Sequence, residues 1–428
     1  MSLLDFALVA GRVLFGIIIL LTLMPLMTWV ERKGAAYIQD RPGPNRAHIG
    51  PIRLGGVMHV IADALKMFSK ESIIPTHVGR IPYLIAPVAV CAVALMSVAV
   101  VPWADAMVFP GGTVIGMQGL DLDVGLLWFL GISSLSVYGI VLAGWSSNNK
   151  YSMLGGIRSS AQMLSYELPM GLSLIGALMI YGTLHLNGMV QSQGDLIFGF
   201  IPKWGVVVQP VAAIIFIVCA FAETNRNPFD LAEGESELVA GFHTEYSAMK
   251  FGLFFLGEYM ALIGSSAIIA TLFFGGWQIP WVTTAMLVRN VHWILPMVLG
   301  GAAIGALALG GHMIKTSRTE APVWGDWRDK EGEYLGWPIV AVGALALLFC
   351  LVTIGANLPG WAGPVVAAVL QFSTLMVKIF FFCWLFVWVR WTLPRFRYDQ
   401  LMNLGWKSLI PLSLVNIVVT GAVLLGVS

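Results

Sequence analysis

The chain has 428 residues, 58% of them hydrophobic and only 11% charged, and its mean hydropathy is +0.82. A soluble protein carries about 25% charged residues, so a water-soluble domain plan is excluded and the structural unit becomes a membrane-crossing helix of ~20 apolar residues. The net charge of +1 carries no signal for nucleic acid, and the 16 Trp suit interfacial aromatic belts.

The expected fold class is therefore an all-α polytopic membrane protein, with residues 1–428 forming a single membrane domain. Ten spans are predicted, at 3–30, 81–103, 122–145, 161–181, 205–222, 246–275, 291–314, 337–358, 365–389 and 408–427. The first of these is too long for the apolar core of a signal peptide and lacks a basic leader, so it reads as a retained span. Alternate connections, 31–80, 146–160, 223–245, 315–336 and 390–407, hold 19 of the 24 Lys and Arg, against two in the other four. By the positive-inside rule the first set is cytoplasmic and both termini lie outside. The absence of a convincing internal repeat argues against an inverted-repeat transporter.

After the first span comes "VERKGAAYIQDRPGPNR" (30–46), which places Glu31, Arg32 and Lys33 at the interface, with Pro42-Gly43-Pro44 setting a stiff turn. The next stretch, "IRLGGVMHVIADALKMFSKE" (52–71), is too short and too charged to span. Leu54, Val57, Ile61, Leu65 and Phe68 share one helical face, while His59, Asp63, Lys66 and Lys70 share the other. This pattern predicts an amphipathic helix lying in the cytoplasmic interface within the 31–80 connection.

Further along, "SSNNKYSMLGGIRSSAQMLSYELPMG" (146–171) leads into the fourth span and brings Glu167 into its first turns. The connection at 223–245, with the residues flanking it, "FAETNRNPFDLAEGESELVAGFHTEY", carries Glu223, Asp230, Glu233, Glu235, Glu237 and Glu245 with Arg226 as the one fixed positive charge. Glu233, Glu235 and Glu237 alternate with small or polar residues and read as part of a mobile loop, where like charges raise one another's proton affinity. Glu258 falls near the middle of the sixth span and Lys378 near the middle of the ninth. A charge at that depth costs about 2.5–3.5 kcal/mol on insertion scales, so it has a partner or a task. A Glu258–Lys378 structural pair is one reading; proton carriage by Glu167, Glu223 and Glu258 is the other. Arg390, Arg395, Arg397 and Asp399 close the cytoplasmic set in "VRWTLPRFRYDQLMNLGWK" (389–407).

Cys91, Cys219, Cys350 and Cys383 all fall in apolar stretches with no CxxC spacing, the pattern of packing thiols and not of metal or iron–sulfur ligands. No P-loop or strand-borne GxGxxG occurs, so any redox centre belongs to another chain.

The stretches "ERKGAAYIQDRPGPNR", "ADALKMFSKE", "GIVLAGWSSNNKYSMLGGIRSSAQMLSYELPMG", "AETNRNPFDLAEGESELVAGFHTEYS" and "LPRFRYDQLMNLGWK" together resemble the H-subunit family of bacterial NADH:quinone oxidoreductase, or respiratory complex I, the counterpart of mitochondrial complex I subunit 1. The resemblance implies a proton-translocating membrane subunit of the cell inner membrane that forms much of the quinone chamber. It implies Arg32, Asp63, Lys66 and Arg390 at the chamber or its mouth. Glu167, Glu223 and Glu258 match the family's intramembrane acidic path, and Glu233, Glu235 and Glu237 its loop acids. The chain itself then binds no cofactor and uses quinone as substrate, while NADH, FMN and iron–sulfur clusters belong to partner subunits. Its partners are the peripheral quinone-site subunits, the membrane pump subunits, quinone and membrane lipid. The family usually has eight spans, so the region 281–360 reads as an inserted helix pair joined by "KTSRTEAPVWGDWRDKEGEY". Two rivals remain: the homologous membrane protein of a membrane-bound hydrogenase or formate hydrogenlyase, and a stand-alone ion transporter.

Overall fold

Each predicted crossing is mostly helical over its described residues in the computed structural model, which describes residues 3–48, 50, 54–319, 325, 327–354 and 359–427, so that 355–358 of the eighth predicted crossing lie outside them. In chain order the helices are α1 (Leu3–Ile38), α2 (Met58–Ser69), α3 (Arg80–Ser97), α4 (Gly125–Ser134), α5 (Ser136–Ser146), α6 (Lys150–Tyr181), α7 (Leu186–Ser192), α8 (Gly205–Val208) and α9 (Pro210–Glu223). They continue as α10 (Glu235–Leu238), α11 (Ala248–Phe273), α12 (Thr284–Arg289), α13 (Val291–Thr319), α14 (Glu331–Thr353), α15 (Ala362–Thr392), α16 (Tyr398–Asn403) and α17 (Ile410–Val427). The described sheet is confined to two antiparallel pairs, Met107–Val108 with Val114–Ile115 and Leu196–Ile197 with Ile201–Pro202, both in connections. An all-α polytopic membrane protein is what these elements make.

Nine helical segments among the described residues are long and apolar enough to cross a membrane. The fifth predicted crossing, 205–222, departs from the rest. α9 has 14 residues, about 21 Å at 1.5 Å per residue, against a hydrocarbon core of ~30 Å. The helix is interrupted at Gln209, between α8 and Pro210, where the Gln209 amide donates to the Gly205 carbonyl at 2.7 Å, its carbonyl accepts from the Ala213 amide at 3.0 Å, and its side chain is held inside the protein. Gln209 donates to the Thr420 hydroxyl at 2.7 Å and accepts from the Asn416 amide at 2.8 Å, both on α17. Non-helical backbone at membrane depth is tolerated only with such internal partners.

α11 is the core of the bundle. It is the most buried crossing and packs against α1, α3, α9 and α15. Its small residues allow this: at Gly257 an added Cβ would lie 2.8 Å from Val90 of α3. A second layer is made by α5, α6, α9 and α17.

Two helix boundaries differ from expectation in ways that move chemistry. Three consecutive charges after the apolar run predict that α1 stops at residue 30; it continues to Ile38. Glu31 and Lys33 are therefore buried on a helix. α6 starts at Lys150, eleven residues before the expected crossing, because the Asn149 side chain caps it by accepting from the Tyr151 amide at 3.0 Å. Glu167 thus stands in the middle of a 32-residue helix and not in its first turns.

Candidate functional site

The centre of the site is a guanidinium. Arg226, in the connection after α9, is fully buried, and its Nε donates to Glu258 of α11 at 2.6 Å while its Nη1 donates to Glu31 of α1 at 2.6 Å. Glu31 is served from two further directions: the Tyr259 hydroxyl donates to Oε2 at 2.6 Å, and Arg390 of α15 donates to Oε1 at 2.5 Å. The Arg226 guanidinium also lies 4.1 Å from the centroid of the Tyr259 ring. Two arginines and two carboxylates balance one another, which is what makes so much buried charge tenable. Arg226 Nη2 is buried with no hydrogen-bond partner among the described residues, so the cluster keeps one spare donor.

Two cavities run from this cluster toward Glu167. The larger has about 90 Å³ accessible to the centres of water-sized spheres, room for several waters. Its lining includes Glu258, Glu223, Glu233, His243, Asn225 and Ser265. The smaller is lined by Glu223, Glu167 and Ser134. Glu223 faces both, and the Ser134 hydroxyl hydrogen-bonds Glu167. The three predicted membrane acids, Glu167, Glu223 and Glu258, therefore line two neighbouring cavities that share Glu223. Lys378 stays off it. Its ammonium donates to the carbonyls of Gly276 at 2.7 Å and Gln278 at 2.8 Å, so the alternative of a Glu258–Lys378 pair is replaced by Glu258–Arg226.

The acidic connection is more structured than a mobile loop. It holds one helical turn at α10 and a tight turn at Gly241–His243, and it is pressed onto α6. Gly155 of α6 lies under it, where a Cβ would come within 2.8 Å of both the Ala232 carbonyl and the Phe242 amide. Gly241 has φ +58°, and a Cβ there would be 1.8 Å from the Ala232 oxygen, so only glycine fits.

Glu233 and Glu237 of the loop have separate partners. Glu233 ion-pairs with His243 at 3.2 Å and faces the larger cavity. Burial alone would raise its pKa, but the His243 hydrogen bond and charge, with Arg390 and Arg226 behind, hold it below the usual carboxylate value. Glu237 points away and ion-pairs with Arg158 of α6 at 2.6 Å on the exposed side. Glu235 begins α10, and its side chain lies outside the described residues. The group that is pushed up is Asp230, to about 7, by burial first and then by the neighbouring Glu233 charge, with Arg395 opposing. Glu245 accepts from the Asn149 amide at 2.7 Å, and its backbone carbonyl from Tyr83, which tethers the far end of the loop.

The four residues expected at the chamber divide into two places. Arg32 of α1 ion-pairs with Asp63 of α2, and both are part-exposed. Lys66, one turn on, is exposed with no described side-chain partner. α2 has no buried residue, and Ile61, Leu65 and Phe68 present their apolar face outward, as an interfacial helix does. Arg390 is not with them; it belongs to the inner cluster through Glu31.

Sequence reading missed the functional weight of Glu31, Arg226, His243 and Tyr259. Glu31 carried a usable signal, since it opens a charged run inside an unbroken helical pattern. Arg226 was visible as the lone cation among six acids. His243 and Tyr259 gave none, because their partners lie in other elements.

A family profile described as NADH dehydrogenase matches residues 12–310 and 331–421. Among curated proteins, the H subunit of NADH-quinone oxidoreductase from Flavobacterium johnsoniae is 39% identical over 398 residues, covering 93% of this chain and 89% of the relative. The H 1 subunit of the same enzyme from Solibacter usitatus is 42% identical over 422 residues, covering 97% and 96%. The H subunit from Bdellovibrio bacteriovorus is 38% identical over 420 residues, covering 94% and 92%. Profile and relatives agree over nearly the full length, and the chain belongs to the NADH dehydrogenase family of membrane proteins, that of the NADH-quinone oxidoreductase H subunits.

Proposed function

We propose that this chain is the membrane subunit of a proton-pumping NADH:quinone oxidoreductase in which it walls the quinone chamber and couples quinone reduction to proton translocation. The observation that supports the reading is the succession of acids from the Arg390–Glu31–Arg226–Glu258 cluster through Glu223, which lines two neighbouring cavities, to Glu167. A structural cluster alone would have no use for a water-sized cavity leading away from it along acids.

In this reading the mouth lies where Arg32, Asp63 and Lys66 meet the bilayer, and Arg390 stands at the inner wall. Reduction of a quinone to a quinol takes two electrons and two protons. Protons drawn from the Glu233–His243 pair and its neighbour Asp230 change the charge facing Arg226. The guanidinium, shared between Glu31 and Glu258, then shifts its hold toward whichever carboxylate stays ionised. Glu258, Glu223 and Glu167 pass the change along that succession. Glu237 anchors the loop to α6 through Arg158, and Glu235 is kept as a further loop acid of the proposal. The basic connections and this loop lie on the cytoplasmic side of the cell inner membrane, with both termini outside. NADH, FMN and iron–sulfur clusters sit on partner subunits, which dock on that side, and the α13–α14 hairpin is an addition to the family's usual spans.

The test is the paired variant Glu167→Gln with Glu258→Gln in the purified, reconstituted complex. Proton pumping and coupled quinone turnover fall together, while electron transfer from NADH to a water-soluble acceptor persists. Full pumping would reduce these residues to structural partners. Co-purification is the coarser check: a nickel–iron hydrogenase, or no partner at all, in place of a multi-subunit NADH dehydrogenase would overturn the reading.

A further inference from the structure

The α13–α14 hairpin stands apart from the bundle. Each buried residue of α14 meets α13: Gly336 lies against Ile314, Gly343 against Leu307, and the Cys350 thiol donates to the Pro296 carbonyl. Large apolar residues elsewhere on α13 and α14, such as Met297 and Leu345, are exposed. Yet the first turn of α14 reaches back and grips the loop between α1 and α2.

Glu331 uses both carboxylate oxygens there. Oε1 takes the Lys33 ammonium of α1, and Oε2 accepts from the Asn45 amide at 2.6 Å. Lys33 completes the knot by donating to the Pro42 carbonyl at 2.8 Å and to Asn45 Oδ1 at 2.9 Å. One helical turn later, Leu335 packs on Gly55, so tightly that a Cβ there would lie 2.6 Å from it. The Gly55 carbonyl in turn accepts from the Trp29 indole of α1 at 3.0 Å. The loop is thus pinned at 42–45 and again at 55, just before α2 begins. Lys33 adjoins Arg32, whose guanidinium pairs with Asp63 of α2, so the end of α1 is held between α14 on one side and α2 on the other.

We propose that Glu331 and Leu335 are positioning residues for the mouth between α1 and α2, and that the outer hairpin thereby sets how readily a long-tailed quinone passes from the bilayer. The proposal rests on the quinone reading above. A quinone with an isoprenoid tail threads this mouth at full length, whereas a short-tailed analogue does not depend on its shape to the same degree. Loosening the knot therefore acts on access and not on the reduction step.

The test compares Glu331→Ala, Leu335→Ala and the charge swap Lys33→Glu with Glu331→Lys in the assembled complex, with a long-tailed and a short-tailed quinone. Glu331→Ala raises KM for the long-tailed quinone by up to about tenfold, the lower end of what a charge-assisted hydrogen bond holds. The kcat stays unchanged, the short-tailed quinone is unaffected, and the charge swap recovers at least part of the loss. Leu335→Ala, which removes no charge, shifts KM the same way and covers the case in which Glu331→Ala fails to assemble. Independently of quinone, a short bis-maleimide, whose span replaces the two side chains, cross-links the pair Asn45→Cys with Glu331→Cys in native membranes. Absence of that cross-link, or equal losses with both quinones in both variants, overturns the proposal. A wild-type complex that reduces neither quinone would instead sink the functional reading, and the role of Glu331 with it, while the cross-link would still report the seating of the hairpin.

Discussion

Replacing Arg226 with Gln isolates the part of the site on which the rest depends. Arg226 makes two charge-assisted hydrogen bonds at 2.6 Å, to Glu258 and to Glu31, with no exposure to solvent. Hydrogen bonds to charged groups contribute about 1.5–3 kcal/mol each, and removing one partner of a buried ion pair costs about 3–5 kcal/mol. The two carboxylates do not suffer equally. Glu31 keeps Arg390 at 2.5 Å and Tyr259 at 2.6 Å, whereas Glu258 ion-pairs with Arg226 alone among the described residues. The loss therefore falls near the lower bound, about 3 kcal/mol, or a factor of about 10² in the folded population. It is measured as the denaturation midpoint of the purified complex, followed by quinone reductase activity. The double variant Arg226→Gln with Glu258→Gln removes the stranded charge and recovers at least half of the loss. Arg226→Lys falls between the two, since an ammonium lacks the fork that reaches two carboxylates at once. If Arg226→Gln alone lies within about 0.5 kcal/mol of wild type, the range of an ordinary surface change, or if the double variant is no better than the single, the balanced-charge account of this cluster is wrong.

Arg32→Ala and Asp63→Asn each impair quinone reduction in the assembled complex while sparing NADH oxidation by a water-soluble acceptor; equal loss of both activities would mean failed assembly instead. Asp230 gives a pH signature. Its native pKa is raised from 3.8 to about 7, so the native state binds the proton more tightly, and this contribution to stability is complete below pH 3.8 and lost as pH rises through about 7. Asp230→Asn fixes the neutral form, so its denaturation midpoint falls less than that of wild type across that window; parallel curves would contradict the assignment. For topology, Phe198→Cys in a background without other cysteines reacts with an impermeant label in intact cells, and Asp399→Cys reacts only after permeabilisation. Reversal of the two would invert the proposed orientation.

How much of this was legible in the sequence depends on whether a residue's neighbours lie along the chain or across it. Crossings are local: an apolar run of sufficient length identifies itself, and the break at Gln209 was hidden only because α8 and α9 read as one run. Helix ends were less legible. Three charges in succession look like an interface, yet α1 carries Glu31 and Lys33 onward because Arg226, Arg390 and Glu331 neutralise them from segments far away in sequence. The acids of 223–245 were found as a composition, but their grouping was not. Spacing alone made Glu233, Glu235 and Glu237 equivalent, whereas folding gives Glu233 to His243 and the cavity, and Glu237 to Arg158 and solvent.

Glu31 shows what this cross-chain assembly accomplishes. It receives Arg226 from the acidic connection, Arg390 from the end of α15 and Tyr259 from α11, so three segments that meet nowhere in sequence converge on two oxygens. Each of the three donors favours the charged form of the carboxylate, so the loss of any one weakens that preference. Movement of any one of those segments therefore changes the proton affinity of Glu31, and a proton arriving at Glu31 weakens the hold on all three. The same reciprocity applies to Glu258 through the shared guanidinium. Among the described residues its link to Glu31 is a single side chain, Arg226, which has a donor to spare, while Glu258 itself lines the larger cavity. Coupling between a substrate chamber and a proton track requires an element that both sides can bias. Among the described residues, Arg226 is the side chain that hydrogen-bonds both Glu31 and Glu258, and in the proposed function it is the element that both sides bias.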